Sequence, residues 1–195
     1  MSTTPPDTGQ QAALNGSPAR EVTTAAAPVA RHAQPIAHDQ KGTVMSNASN
    51  AALTGPWQDL WNGDLSVTDK IIAEDFVAHA APITGTGPDR VRGREALNAW
   101  VSGIHAILPD LSFVLDVGPI TDGEHLVVRW KARGTYRGGF PGASPEAVGR
   151  EVTFTGTDTL RIADGMLAEY WANADSLLFV QQLGVREVPA YKQEG

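Results

Sequence analysis

Three of the four carboxylates in the stretch 152–175, Asp158, Glu169 and Asp175, stand in what otherwise reads as two β-strands. Side chains alternate along a strand, so Val152, Phe154, Gly156, Asp158, Leu160 and Ile162 share one face. The opposite phase, Thr153, Thr155, Thr157, Thr159 and Arg161, is polar. Asp158 therefore interrupts an apolar face. A carboxylate among apolar side chains must be paired, hydrogen-bonded or protonated, and desolvation raises its pKa. That makes it an acid/base candidate. After a turn at 163–165, Leu167, Glu169, Trp171, Asn173 and Asp175 share a phase. Such groups suit general acid/base proton transfer.

Each candidate also has a structural reading. Asp175 stands where it can cap a helix beginning at Ser176, and the cap would compete for the same oxygens. A bulge or a one-residue slip would turn Asp158 outward. Glu169 either shares a proton with Asp158 or pairs with Arg129, Lys131 or Arg133. Trp171, Trp130 and Tyr136 are core residues or flat walls for a planar substrate.

The elements that must position these residues are legible in outline. A short helix begins near Pro56, and Ser66 can cap a second over 67–74. A short strand follows over 75–82. The clearest helix spans 92–108, where Leu97, Trp100, Val101, Ile104, Ile107 and Leu108 repeat at helical spacing until Pro109 ends it. Strands are expected over 111–120, 125–138, 150–162 and 166–173, with Asp-Gly hairpin turns at 122–123 and 164–165. In the second of these strands Arg129, Lys131 and Arg133 share one face, opposite Val128, Trp130, Ala132, Gly134 and Tyr136. The glycine- and proline-rich loop 138–149 is a candidate lid. A closing helix from 175 to 183 stops at Gly184. Helices followed by a long antiparallel meander point to an α+β fold, a curved sheet wrapped around N-terminal helices as a cone-shaped barrel. The mouth of such a cone is a natural pocket.

Residues 1–45 contain none of the 13 aromatic residues and carry three basic and three acidic side chains. This low-complexity segment reads as a disordered tail, ahead of a domain over 46–195. Met45 is also a candidate internal start. The net charge of −7 falls within 46–195, which argues against nucleic acid or an anionic membrane as partner. No segment has the apolar length of a membrane helix. The absence of cysteine removes disulfides and thiolate chemistry, so a cytoplasmic location is expected.

The run GTDTLRIADGMLAEYWANADSLLFVQQLG, 156–184, resembles the end of SnoaL-like polyketide cyclases, also called ester cyclases, of the nuclear-transport-factor-2-like superfamily. Phe76-Val77-Ala78-His79, Gly93-Arg94-Glu95-Ala96-Leu97, Leu108-Pro109-Asp110-Leu111 and Gly134-Thr135-Tyr136-Arg137-Gly138 resemble further family segments in the same order. The resemblance implies the cone-shaped α+β barrel and a homodimer. It also implies intramolecular aldol ring closure of a hydrophobic carbonyl substrate, with no metal or organic cofactor. Asp175 falls at the family's acid/base aspartate. Asp158 stands where characterised members often have histidine, and His79 matches a first-strand histidine, so both are expected to assist. Trp171, Glu169, Trp130, Tyr136 and Asn173 are expected to contact substrate. One fold serves many chemistries, so isomerase, dehydratase, epoxide hydrolase and non-catalytic binding remain rivals.

Overall fold

The structure is a computed structural model that describes residues 47–80 and 90–187. The expected tail over 1–45 and the end of the strand expected to reach 82 lie outside the described residues. Two short helices open the domain, α1 (Asn47–Ala51) and α2 (Thr54–Trp61). Trp57, Leu60 and Trp61 recur at i, i+3 and i+4, and all three are buried.

The next turn differs from expectation. Asp64, not Ser66, is the capping residue, its carboxylate accepting from the Ser66 backbone N–H at 3.0 Å. A 3₁₀ turn over Leu65–Val67 then leads into α3 (Thr68–Ile71), a single helical turn. The helix expected over 67–74 stops early because Ile72 opens β1 (Ile72–His79) and pairs with Leu167. Pairing with another strand here overrides local helix propensity. After β2 (Arg90–Arg92), α4 (Gly93–Ile107) carries the expected apolar stripe, with Leu97 and Val101 buried and Trp100, Ile104 and Ile107 packed against the core.

The meander follows as β3 (Ser112–Asp122), β4 (His125–Thr135), β5 (Glu151–Ala163) and β6 (Met166–Ala174), closed by α5 (Ser176–Gln182). Asp164 and Gly165, at φ 49° and 77°, make the tight β5–β6 turn. The sheet order is β2-β1-β6-β5-β4-β3. Among the described strands only the β1–β6 pair is parallel, so the sheet is mixed. It is a curved, open, cone-like α+β sheet with the helices against one face.

Side-chain amides satisfy backbone groups along its unpaired strand edges. Asn62 Oδ1 accepts from Phe113 N at 2.7 Å, while Gln58 and Asn62 donate to Phe113 O. Gln182 does the same for β5, accepting from Thr153 N and donating to Thr153 O. Such amides satisfy groups that an open edge leaves without partners.

The expected lid is tied down. Tyr136 N and O pair with Arg150 O and Gly149 N, Phe140 N donates to the Tyr136 hydroxyl, and Ser144 N donates to Leu183 O. Ala147 is buried, and Phe140 meets Phe179 of α5 edge-on at 5.7 Å. The loop is thus packed onto α5 rather than left free to close over a site.

Candidate functional site

The sheet has a dry face toward the helices and a wet face, and the register assigns each candidate to one of them. Opposed residues of an antiparallel pair share a face. Asp158 lies opposite Val128 and Ala172, and Leu160 opposite Tyr170. The dry face of β6 is therefore Tyr170 and Ala172. Glu169, Trp171 and Asn173 lie opposite Arg161, Thr159 and Thr157 on the wet face. A register irregularity between Arg161 and Ile162 lets both Leu167 and Ala168 be buried next to the turn.

On the dry face Asp158 is only 2% exposed. Trp57 Nε1 donates to its Oδ2 at 2.9 Å, and Trp130 Nε1 and the Tyr170 hydroxyl donate to Oδ1, each at 2.8 Å. Indole N–H is donor-only, so two tryptophans converging from α2 and β4 require an acceptor between them. Gly156 makes room: a Cβ there would collide with the Trp130 ring. Desolvation pushes the Asp158 pKa above the ordinary carboxylate value, and the hydrogen bonds from Trp130, Trp57 and Tyr170 work against that rise. Burial likewise pushes the Tyr170 phenol well above its usual range, with the Asp158 charge adding to it. The expectation of burial on an apolar face holds. Two indoles and a phenol surround its carboxylate inside the core. Tyr136 is also buried, with its hydroxyl committed to Phe140 N.

The wet face carries the other candidates, in two groups. His79 Nε2 lies 2.8 Å from Glu169 Oε1, and Arg161 Nε donates to Glu169 Oε2 at 2.9 Å. The His79 ring stacks on Trp171 with centroids 5.3 Å apart and planes at 8°. The bond from His79, then that from Arg161, holds the Glu169 pKa below its ordinary value. Both expected partnerships of Glu169 are thereby corrected. It faces away from Asp158, and its cation is Arg161, directly across the β5–β6 pair, rather than a β4 residue.

The second group surrounds Asp175. Its Oδ2 accepts from the Thr155 hydroxyl at 2.5 Å, and Arg129 donates to the same hydroxyl oxygen at 3.3 Å. Asp175 occupies the N-cap position of α5 but makes no side-chain cap bond. Its backbone alone serves the helix, with Phe179 N donating to Asp175 O at 3.0 Å. The competition between cap and site is therefore absent, and the carboxylate is exposed.

Thr155 also lines a groove of about 490 Å³. Its floor is the wet face of three strands: Ser112 and Val114, Lys131 and Arg133, Thr153 and Thr155, with Leu178 of α5 as a wall. The volume falls within the range of small-molecule sites. Lys131 bridges Asp116 at 2.5 Å, and that bond is the main reason the Asp116 pKa lies low.

The structure thus brings together Asp158 and Trp130, and separately His79, Glu169 and Trp171. Asp175 belongs to neither cluster, and Asn173 is exposed on the wet face. Sequence reasoning missed Trp57 and Tyr170 around Asp158, and Thr155 beside Asp175.

The sheet thus carries a buried aspartate, Asp158, on one face and an exposed one, Asp175, on the other, the latter bonded to a residue that lines a groove. The family model for SnoaL-like polyketide cyclase matches residues 51–183. The chain belongs to that family. TsrD from Streptomyces laurentii superposes with a TM-score of 0.61 at 25% identity, covering 72% of this chain and 98% of that one. IdmH from Streptomyces antibioticus, described as a candidate polyketide cyclase, gives 0.58 at 28% identity over 72% and 100%. AclR from Streptomyces galilaeus, described as a candidate hydroxylase, gives 0.59 at 24% identity over 74% and 87%, a likeness of fold alone. The search of curated proteins gave no match.

Proposed function

We propose that this chain is a cofactor-independent cyclase that closes a ring by intramolecular aldol chemistry, with Asp175 as the acid/base. The observation that carries this reading is the bond from Thr155 to Asp175, because Thr155 also lines the groove. Of the three expected catalytic residues, Asp175 alone adjoins the cavity. Thr155 holds Oδ2 and leaves Oδ1 to accept a proton. Asp175 takes that proton from a carbon between two carbonyls, and the resulting enolate carbon attacks a second carbonyl of the same molecule. A carbon–carbon bond forms, the carbonyl π pair becomes an alkoxide, and protonated Asp175 returns its proton to that oxygen. The product is an isomer of the substrate, with no electron or co-reactant left over. Lys131 and Arg133 supply positive charge for the enolate, and Val114 and Leu178 hold its apolar body. Isomerisation or dehydration would use the same carboxylate, so product analysis with a panel of linear β-polycarbonyl acids and esters decides the reaction. Asp175→Asn is expected to lose turnover while still binding ligand. Full activity in that variant would sink the assignment.

One observation favours a second role for the wet face. Val117 and Ile120, 51% and 59% exposed, lie along the edge strand β3 outside the groove. A homodimer that covers this edge would hide them. Sedimentation at micromolar concentration should give twice the chain mass. A monomer carrying no activity on any bound compound would leave the binding-module reading in its place.

A further inference from the structure

Where α2 ends, Asn62 is followed by Gly63, and both residues are exposed. An asparagine before glycine is open to attack on its own side-chain amide, because glycine leaves the next backbone N unhindered. In the folded chain three features oppose that attack. Asn62 Oδ1 accepts from Phe113 N at 2.7 Å and its Nδ2 donates to Phe113 O at 3.3 Å, so the amide is held on the β3 edge. Gly63 N donates to Leu60 O at 2.9 Å. Asn62 also sits at ψ 5°, which turns Gly63 N toward Asn62 N, whereas ring closure onto the side chain needs it beside Cβ.

Neighbouring side chains hold the same corner. Gln58 Nε2 donates to Phe113 O at 2.9 Å, a second tie between α2 and β3. His105 Nε2 of α4 lies 3.0 Å from Trp61 O, and a Cβ on Gly63 would touch its ring at 3.4 Å. The helix held in this way carries Trp57 to Asp158 and Trp61 into the aromatic core. A chemical change at the exposed corner therefore reaches the core through α2.

We propose that Asn62–Gly63 is a deamidation site gated by separation of α2 from β3, and that its isoaspartyl product loosens α2. When the corner opens, Gly63 N gives up its proton to solvent base and attacks Asn62 Cγ. The new N–C bond forms as the amide nitrogen leaves with a solvent proton as ammonia, and a five-membered succinimide remains. Water then adds to one imide carbonyl and breaks its C–N bond. Opening at the side-chain carbonyl gives aspartate, and opening at the backbone carbonyl gives isoaspartate; nothing is oxidised or reduced. Aspartate lacks the Nδ2 donor and sets a negative charge beside Phe113 O. Isoaspartate adds a methylene to the backbone, which pulls the bonds from Asn62 N to Gln58 O and from Gly63 N to Leu60 O out of register.

The test ages the full chain in mildly alkaline buffer, native and in guanidinium chloride. Peptide mapping by mass spectrometry follows Asn62 and resolves its two products. Asn62 is expected to react in both states, but slower in the native one by about tenfold or more, the factor that an opening free energy of about 1.4 kcal/mol imposes. Gln58→Ala, which removes one tie to the β3 edge, should raise the native rate and leave the denatured rate unchanged. Aged native protein should unfold at a lower denaturant concentration than fresh protein. In Asn62→Ala, where the reaction cannot occur, ageing should leave that midpoint unmoved. Equal rates in the two states, no reaction in denaturant, a native rate indifferent to Gln58→Ala, or an ageing shift that persists in Asn62→Ala would overturn the proposal.

Discussion

The two faces of this sheet treat a carboxylate in opposite ways. On the dry face Asp158 accepts three hydrogen bonds from neutral donors and meets no cation, and desolvation raises its pKa. On the wet face Glu169 is held by His79 and Arg161, and its pKa is lowered. Asp175 shares the wet face and is bonded to Thr155, which lines the groove. A perturbed pKa marks a candidate active site only where the group can be reached. The buried carboxylate ties α2, β4, β5 and β6 together, and the proposed mechanism uses the exposed one.

Substitutions that treat the faces differently test the contrast. The largest expected effect is on turnover: Asp175→Asn should cost about a thousandfold in kcat, within the range for a lost general acid/base. The same variant should leave the melting temperature nearly unchanged, because its side chain makes one exposed hydrogen bond. Asp158→Ala should do the reverse in stability. It strands the Trp57, Trp130 and Tyr170 donors in the core, at a cost of about 3 kcal/mol. Chemical denaturation measures that loss. If Asp158→Ala unfolds at the parent's denaturant concentration, the account of the dry face fails.

A smaller effect concerns pH. Burial raises the folded-state pKa of Asp158 above its ordinary 3.8. Its contribution to stability is then fully present below 3.8 and is lost as pH rises through the folded value, with a slope of at most about 1.4 kcal/mol per pH unit. Stability measured across this window in the parent and in Asp158→Asn should differ in slope, the variant being flatter. Matching slopes would mean that the three donors fully offset the desolvation.

How much of this was legible beforehand follows from which interactions are local. The α4 stripe and the β3–β6 meander were readable because helical spacing, strand alternation and Asp-Gly turns are written in neighbouring residues. The Asp158 face was readable for the same reason. The face of Glu169 and Trp171 was not, since it depends on pairing Asp158 with Ala172 across a turn that contains an irregularity. Nor was the sealing of Asp158, because Trp57 approaches from 101 positions away. The β1 start at Ile72 likewise depends on Leu167, far along the chain.

The smallest effect is the most discriminating for the wet face. His79 and Glu169 are partly exposed, so their hydrogen bond should contribute only about 0.5 kcal/mol. Because the Glu169 pKa is lowered, that contribution is present above its unfolded value and disappears as pH falls through the folded one. His79→Ala should therefore destabilise slightly near neutrality, have less effect in acid, and leave turnover within twofold. Asp158 has the opposite pH dependence, so the two variants measured together should diverge as pH changes. A large loss of activity in His79→Ala, with stability intact, would move the catalytic centre from the groove beside Asp175 to the stacked His79–Trp171 pair.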